Sequence, residues 1–345
     1  MKALHPPTWL GFAAVALLLA SCGEPASETA SPAPETTPPT PETDSTASET
    51  VAPEPASIVV GFSQIGAESA WRTAETESIR SEADKRGLAL QFHDAQQKQE
   101  NQIKALRAFI NQGVDAIILA PKVETGWEPV LRDIKAAGIP VILVDRGVYV
   151  SDESLYATLI AADFVEEGRM AANWLIGKTR AQANIVELKG TTGSAPAIDR
   201  EKGFHEIIDQ EPEMQVIKSQ TGEFTRAKGK EVMEAFLKAE GDRIDAVYAH
   251  NDDMALGAIQ AIEEAGRKPG EDIIVVSIDG VRAALEALIE GKLNCTIECN
   301  PLLGPLAFDA VEAVLAGNDL PKHTIVESRV FDPPTAEAEL PDRQY

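Results

Sequence analysis

From Ser57 onward the chain alternates between short apolar runs and longer stretches in which apolar residues recur at helical spacing. "SIVVGFS" leads into "WRTAETESIRSEADKRG", a charged helix that Gly87 closes. "LALQFHD" leads into "QENQIKALRAFINQG", which puts Ile103, Leu106 and Ile110 on one helical face and stops at Gly113. "VDAIILAP" precedes a helix over about 126–137, and then comes "PVILVDRG". The alternation continues with "LYATLIAAD" before a helix near 166–176, "ANIVELKG" before one near 196–209, and "MQVIKSQ" before "RAKGKEVMEAFLKAEG". It closes with "IDAVYAHND" before "MALGAIQAIEEAG", and "DIIVVSIDG" before "VRAALEALIEG". Strands that are apolar throughout, each followed by a helix, belong to parallel sheets covered on both faces. The unit recurs too often for one small sheet. The expected fold class is α/β, with two doubly wound parallel-sheet lobes; a single eight-unit barrel is the structural alternative.

The first 57 residues break this pattern. "MKALHPPTWLGFAAVALLLASC" has a basic start at Lys2 and an apolar run from Leu10 to Ala20, too short to span a bilayer comfortably. It reads as a secretory signal over residues 1–22. Its ending "LASC" resembles a bacterial lipobox, which implies cleavage before Cys22 and lipid attachment to it; an ordinary signal with an incidental cysteine is the other reading. Residues 23–57 are almost entirely Pro, Glu, Ser, Thr and Ala, with one Val and no aromatic. Such a segment cannot bury enough apolar surface to offset its ordering entropy, so it is expected to be a disordered acidic tether. Lipid, tether and globule together place the protein outside the cytoplasm, held at a membrane surface.

The remainder, about 290 residues, is enough for two lobes. The net charge of −24 repels phosphate backbones and argues against a nucleic-acid partner. Three cysteines are too few for a disulfide framework. If "NCTIECN" is a strand, Cys295 and Cys299 lie about 13 Å apart at ~3.3 Å per residue, too far to bridge. Both are expected to be small core-filling thiols.

In parallel α/β sheets ligands bind beyond the carboxyl ends of the strands. Directly after the apolar runs stand Ser63, Gln64 and "ESAWR"; His93 and Asp94; Asp145 and Arg146; His250, Asn251, Asp252 and Asp253; and Asp279 with Gly280. A carboxylate accepts two hydroxyl protons, arginine donates in a rigid fork, and asparagine does both. A polyol satisfies all of them, and its C–H face can lie on an aromatic ring. Trp71 and Trp127, just past strand ends, are the ring candidates. Blander roles compete: a local ion pair for Asp145 with Arg146, a helix N-cap for Asp252 or Asp253, packing for Trp127, and structural roles for His250 and His93. Nothing in the pattern calls for a metal or cofactor.

These residues identify the family. Over 57–331 the chain resembles bacterial periplasmic sugar-binding proteins of the ribose-binding type, which serve ABC importers, and is nearest to their galactofuranose-binding branch. The matching stretches include "VGFSQIGAESAWR", "QQKQENQIKALRAFINQGVDAIILAP", "AIDREKGF", "GEFTRAKGKEVMEAF", "YAHNDDMALGAIQAI" and "SIDG". The resemblance implies two lobes with a sugar between them: 58–161 plus 299–330, and 162–298 plus 331–345. It implies three crossing segments, near Ala161–Asp163, Glu298–Pro301 and Phe331–Pro334. It implies that Asp145 and Arg146 clamp the sugar, that Asn251 and Asp279 hold it from the second lobe, and that Trp71 and Phe224 supply rings. Arg72 and Glu75 stand near Trp71 in that pattern. Asp199 and Arg200 stand where ribose binders have an arginine-rich segment, with no indication of which one reaches the ligand. Ala120 and Cys299 replace the asparagine and glutamine of ribose binders, which argues against ribose. The implied function is a non-enzymatic, monomeric binding protein that closes on a monosaccharide and docks on an ABC permease in the membrane. Delivery to a chemoreceptor or kinase, or glycoside hydrolysis by Asp145 and Asp279, are the rival readings.

Overall fold

The computed structural model describes residues 58–345. The signal segment, Cys22 and the tether lie outside the described residues. The elements in chain order are β1 (Val59–Gln64), α1 (Ala70–Arg86), β2 (Ala89–Asp94), α2 (Gln99–Gln112), β3 (Ala116–Leu119), α3 (Glu128–Ala136), β4 (Val141–Val144) and β5 (Thr158–Ala162). They continue with α4 (Phe164–Thr179), β6 (Ala183–Lys189), α5 (Ala195–Ile208), β7 (Met214–Thr221), α6 (Arg226–Glu240), β8 (Ala246–Ala249), α7 (Asp252–Glu264), β9 (Ile274–Asp279) and α8 (Arg282–Ile289). The last are β10 (Cys295–Glu298), α9 (Gly304–Leu315), β11 (His323–Val326), β12 (Val330–Phe331) and α10 (Pro333–Glu339).

The strands form two six-stranded sheets, ordered β2-β1-β3-β4-β5-β11 and β7-β6-β8-β9-β10-β12. Every pairing is parallel except β10 with β12. Central strands such as "AIIL", "VILV" and "AVYA" are wholly buried, as expected where helices cover both faces. The second sheet and its helices share one large apolar core, and the first sheet has a core on each face. The chain passes between the sheets after Ala162, after Glu298, and between Val326 and Val330. Two boundary residues therefore differ from expectation. Ala162 completes β5 of the first sheet, and Val330 pairs with Ile297 of the second. Each residue pairs with a strand of the sheet it joins, and that pairing places it in the lobe.

Close helix pairing sets the geometry of the second lobe. A Cβ on Gly203 of α5 would meet the Val165 carbonyl oxygen of α4 at 1.9 Å, and one on Gly168 would meet that of Arg200 at 2.3 Å. The two helices therefore approach backbone to backbone, which fixes the rotation of α5 and with it which of its side chains faces inward. Trp127, offered above as a stacking ring, is packed in the first lobe's core with its Nε1 donating to the Val123 carbonyl at 2.6 Å. Among the described residues, no helix is long and apolar enough to cross a membrane.

Candidate functional site

The carboxyl ends of the two sheets face one another across a gap. It is lined from the first lobe by Glu68, Ser69, Trp71, Arg72, Asp145 and Arg146, and from the second by Pro196, Arg200, Phe224, Asn251 and Asp279, with Cys299 at a crossing. Counting its open mouth, it leaves about 290 Å³ of atom-free space between the lobes.

Eight of the ten residues singled out from the sequence line this gap, and two do not. Glu75 sits one layer behind. Its Oε2 accepts from Arg72 Nη1 and from Gln64 Nε2, the latter at 2.9 Å. Burial pushes its carboxyl up to about 7, against the pull of Arg72. Asp199 faces a separate cavity with Glu124 and Asp163, whereas its neighbour Arg200 points into the gap. Adjacent helical residues point about 100° apart, so only one of them can reach it.

The first-lobe charges form one network. Arg72 Nη2 donates to Asp145 Oδ2 at 2.5 Å, and its Nε donates to Glu68 at 3.1 Å. Burial would lower the Arg72 guanidinium, but Asp145, Glu75 and Glu68 outweigh it and hold it up. Arg146 Nε lies 3.4 Å from the same Asp145 oxygen, and its Nη1 donates to the Lys122 carbonyl at 2.9 Å. Burial and the like charge of Arg72 bring Arg146 down to about 10. The local Asp145–Arg146 ion pair therefore exists, and it coexists with a position on the gap. In the second lobe Arg200 donates from Nε to Glu167 at 2.8 Å and from Nη1 to the His250 carbonyl at 2.5 Å. Its Nη2 stands 3.7 Å from Asp279. Burial pushes the Asp279 carboxyl well above the usual range, against the pull of Arg200.

Asn251, rather than either following aspartate, caps α7. Its Oδ1 accepts from Met254 N at 3.0 Å, and its Nδ2 donates to the Phe224 carbonyl at 3.2 Å. That leaves the second Nδ2 hydrogen for a ligand. Asp252 is buried behind it, accepting from the Ser277 and Thr296 hydroxyls. Asp253 reaches across the gap, where its Oδ2 accepts from Ala70 N at 2.8 Å, at the start of α1. One further bond joins the lobes, from Glu124 N to the Gly193 carbonyl at 2.9 Å, and Trp71 Nε1 donates to the Cys299 carbonyl of a crossing segment at 2.5 Å. With Arg146 also lying over the Phe224 ring at 5.2 Å, the lobes are closed on one another.

Three gap residues have left-handed backbone: Asp145 (φ 60°), Phe224 (φ 61°) and Asp279 (φ 132°). Such conformations cost about 1–3 kcal/mol each and cluster where geometry serves a site. At Asp145 the turn ends β4 and swings the carboxylate toward Arg72, which is why four buried apolar residues stop at an acid and a base. The Phe224 ring lies directly over Gly190, where a Cβ would come 1.9 Å from its Cζ. Gly190→Ala is expected to drive that ring off its seat, weakening ligand binding about tenfold while leaving the denaturation midpoint of the first lobe unchanged. Calorimetric titration and urea unfolding check the two halves of that statement.

Behind the second lobe's face, buried Glu187 accepts from the Ser219 hydroxyl and lies 3.0 Å from His250 Nε2 and 3.8 Å from His205 Nε2. Burial lowers His250, which serves a structural role there, with its Nδ1 3.4 Å from Gly190 N. The contact with Glu187 raises His205 to about 9 from an ordinary 6.5. A folded value above the unfolded one means that charged His205 contributes stability that is full below 6.5 and is lost as pH rises through 9. The urea midpoint is expected to fall across that window and to flatten in His205→Gln. A wild-type midpoint that stays level there would remove the assignment.

Sequence reasoning missed four lining residues. Glu68 and Ser69 stand in the quoted "ESAWR", but no spacing rule singled them out. Pro196 is an apolar wall at the start of α5. Cys299 packs in the core with Cys295, as expected, and in addition borders the gap.

The periplasmic binding protein domain family matches residues 60–319. A galactofuranose-binding protein of Escherichia coli is 53% identical over 289 residues, spanning 83% of this chain and 91% of that protein. Among solved structures, the binding component of an arabinose ABC transporter from Shewanella, bound to α- and β-L-arabinofuranose, superposes with a TM-score of 0.81 at 56% identity, covering 83% of this chain and 95% of the other. A Mycobacterium smegmatis protein in complex with β-D-fucofuranose gives a TM-score of 0.82 at 51% identity, over 84% of this chain and 96% of the other.

Proposed function

Because the chain belongs to the periplasmic binding protein domain family, we propose that it captures a monosaccharide in its five-membered ring form, of the galactose series or a close relative, and carries it to an ABC permease. The coarser statement follows from the family: this is a sugar-binding protein of the ABC-transport kind, it works outside the cytoplasm, and its relatives are not enzymes. The glycosidase reading of Asp145 and Asp279 is set aside on that ground.

One observation supports the finer reading above the others: Asp145 and Arg146 from one lobe and Asn251 and Asp279 from the other border the same closed gap. In the proposed mechanism an open form samples closure, and a sugar that contacts both lobes favours the closed state by its differential affinity. Asp145 accepts ring hydroxyls, Arg146 and Arg200 donate to ring oxygens, and Asn251 donates its spare N–H. Asp279 pairs with a further hydroxyl, while Trp71 and Phe224 cover the C–H faces. The relatives solved with arabinofuranose and fucofuranose, and the relative named for galactofuranose, support the furanose form. Lipid attachment at Cys22, a tethered monomeric globule and permease docking complete the proposal.

Calorimetry and thermal unfolding with D-galactose, L-arabinose and D-fucose test it, with methyl β-D-galactopyranoside as a ring-locked control. At a hundredfold excess over Kd a true ligand stabilises the fold by about 2.7 kcal/mol. At least one free sugar is expected to bind and the locked pyranoside to fail. Equal binding of the pyranoside would overturn the furanose assignment, and no binding of any monosaccharide would overturn the whole reading.

A further inference from the structure

Residues 340–345 border no part of the gap, yet they hold the residue next to Asp279. We propose that this segment is a strap that positions Asp279 for the ligand, with Arg343 as its positioning residue; the inference rests on the sugar-site reading above. β9 ends in two consecutive positive-φ residues, Asp279 (φ 132°) and Gly280 (φ 78°). A non-glycine residue at such a φ persists only where its surroundings over-determine it. Cys299 N donates to the Asp279 carbonyl at 3.0 Å and Gly280 N donates to Thr296 Oγ1 at 3.2 Å, and Arg343 closes the other side of the turn. Arg343 is 8% exposed, its Nε donates to the Gly280 carbonyl at 2.6 Å, and its Nη1 donates to Glu298 Oε1 at 2.6 Å. Glu298 is the register partner of Asp279 on the neighbouring strand. One planar guanidinium therefore ties the Gly280 carbonyl, one peptide beyond Asp279, to the strand beside it, a forked task that suits arginine.

The strap is itself held in place. The Arg343 guanidinium lies between the Tyr345 ring, 3.9 Å away, and the Phe331 ring, 5.0 Å away. Arg282, two residues beyond Gly280, donates from its backbone N to the Tyr345 carbonyl and from Nη2 to the Arg343 carbonyl, both at 2.6 Å. Tyr345 Oη donates to Glu298 Oε1 at 2.9 Å, and Arg329, at the crossing into β12, donates to Glu298 Oε2 at 2.6 Å. Glu298 is also where the chain leaves the second sheet for the first lobe. The loop carrying Asp279, a crossing segment and residues 340–345 thus share one carboxylate and one guanidinium. Without the strap the Gly280 carbonyl loses its partner, and the turn that aims the Asp279 carboxylate rests on Cys299 N and Thr296 Oγ1 alone.

The test is a double-mutant cycle by calorimetry, using whichever of D-galactose, L-arabinose and D-fucose the wild-type protein binds most tightly, with sugar raised until each variant saturates. Arg343→Gln is expected to weaken binding at least tenfold, and Asp279→Asn more. In the Asp279→Asn background, Arg343→Gln is expected to add less than threefold, because its effect runs through that carboxylate. A merely structural role would instead multiply the two losses, and that result overturns the proposal. Binding within threefold of wild type in Arg343→Gln, with Asp279→Asn impaired, overturns the strap while leaving the site reading intact. Wild-type affinity in Asp279→Asn overturns the site reading, and the strap with it. If Arg343→Gln does not fold, Arg282→Met loosens the strap from outside: a loss of about threefold that disappears in Asp279→Asn supports the proposal, and an unchanged affinity overturns it.

Discussion

Arg200→Met is expected to destabilise the folded protein by about 3–5 kcal/mol and to abolish detectable sugar binding. The stability loss follows from what the guanidinium leaves behind. Glu167 is buried, and its partners are Arg200 at 2.8 Å, the Ser328 hydroxyl at 3.2 Å and the Cys299 thiol. Without Arg200 that carboxylate is buried with no countercharge, and the His250 carbonyl and Asp279 lose a neighbour as well. The methionine stem still packs on Phe164, against which the guanidinium lies at 5.2 Å, so the change isolates charge from volume. Urea unfolding measures the loss, and Glu167→Gln in the same chain is expected to restore a large part of it, because a neutral amide no longer demands a countercharge. A single-variant loss below about 1 kcal/mol would contradict the pairing.

Asp145→Ala is expected to weaken sugar binding by about 2–5 kcal/mol, roughly thirtyfold to several-thousandfold. Two buried arginines share this one carboxylate, and Arg146 is already depressed by burial and by Arg72. Removing the acid leaves both guanidinium groups facing the gap, with Glu68 and Glu75 as the remaining acids. Alanine also tolerates a φ of 60° poorly, whereas asparagine adopts it readily. Asp145→Asn therefore separates the contributions: it keeps the turn and loses the charge. If the carboxylate itself holds the sugar, Asn is impaired nearly as much as Ala. Calorimetry that finds both variants near wild type would take Asp145 out of the site.

The two variants probe opposite lobes, and what the sequence revealed about each lobe differs in kind. Asp145 and Arg146 were visible because "VILV" ends abruptly and a strand end in a parallel sheet is where ligands meet it. Asn251 and Asp279 were visible for the same reason. Glu75 was misplaced because α1 puts it one turn from Arg72 on the same face, and helical spacing carries no information about depth. Trp127 follows an apolar run much as Trp71 does, yet one fills a core and the other borders the gap. A helix N-cap was the competing role for Asp252 or Asp253, but a cap is decided by the first residue off the helical path, and that is Asn251.

Alternating apolar runs and helical periodicity determined the α/β class, the order of elements and the sheet edge that carries the chemistry, because those depend on local spacing and on which residues water excludes. Only the tertiary structure decided that Arg200 faces the gap and Asp199 does not, that Phe224 rests on Gly190, and that Arg343 grips the Gly280 carbonyl across 63 positions of chain. Those are contacts between residues far apart in sequence. Helix rotation, lobe closure and left-handed backbone turns set them, and none of these leaves a repeat in the order of amino acids.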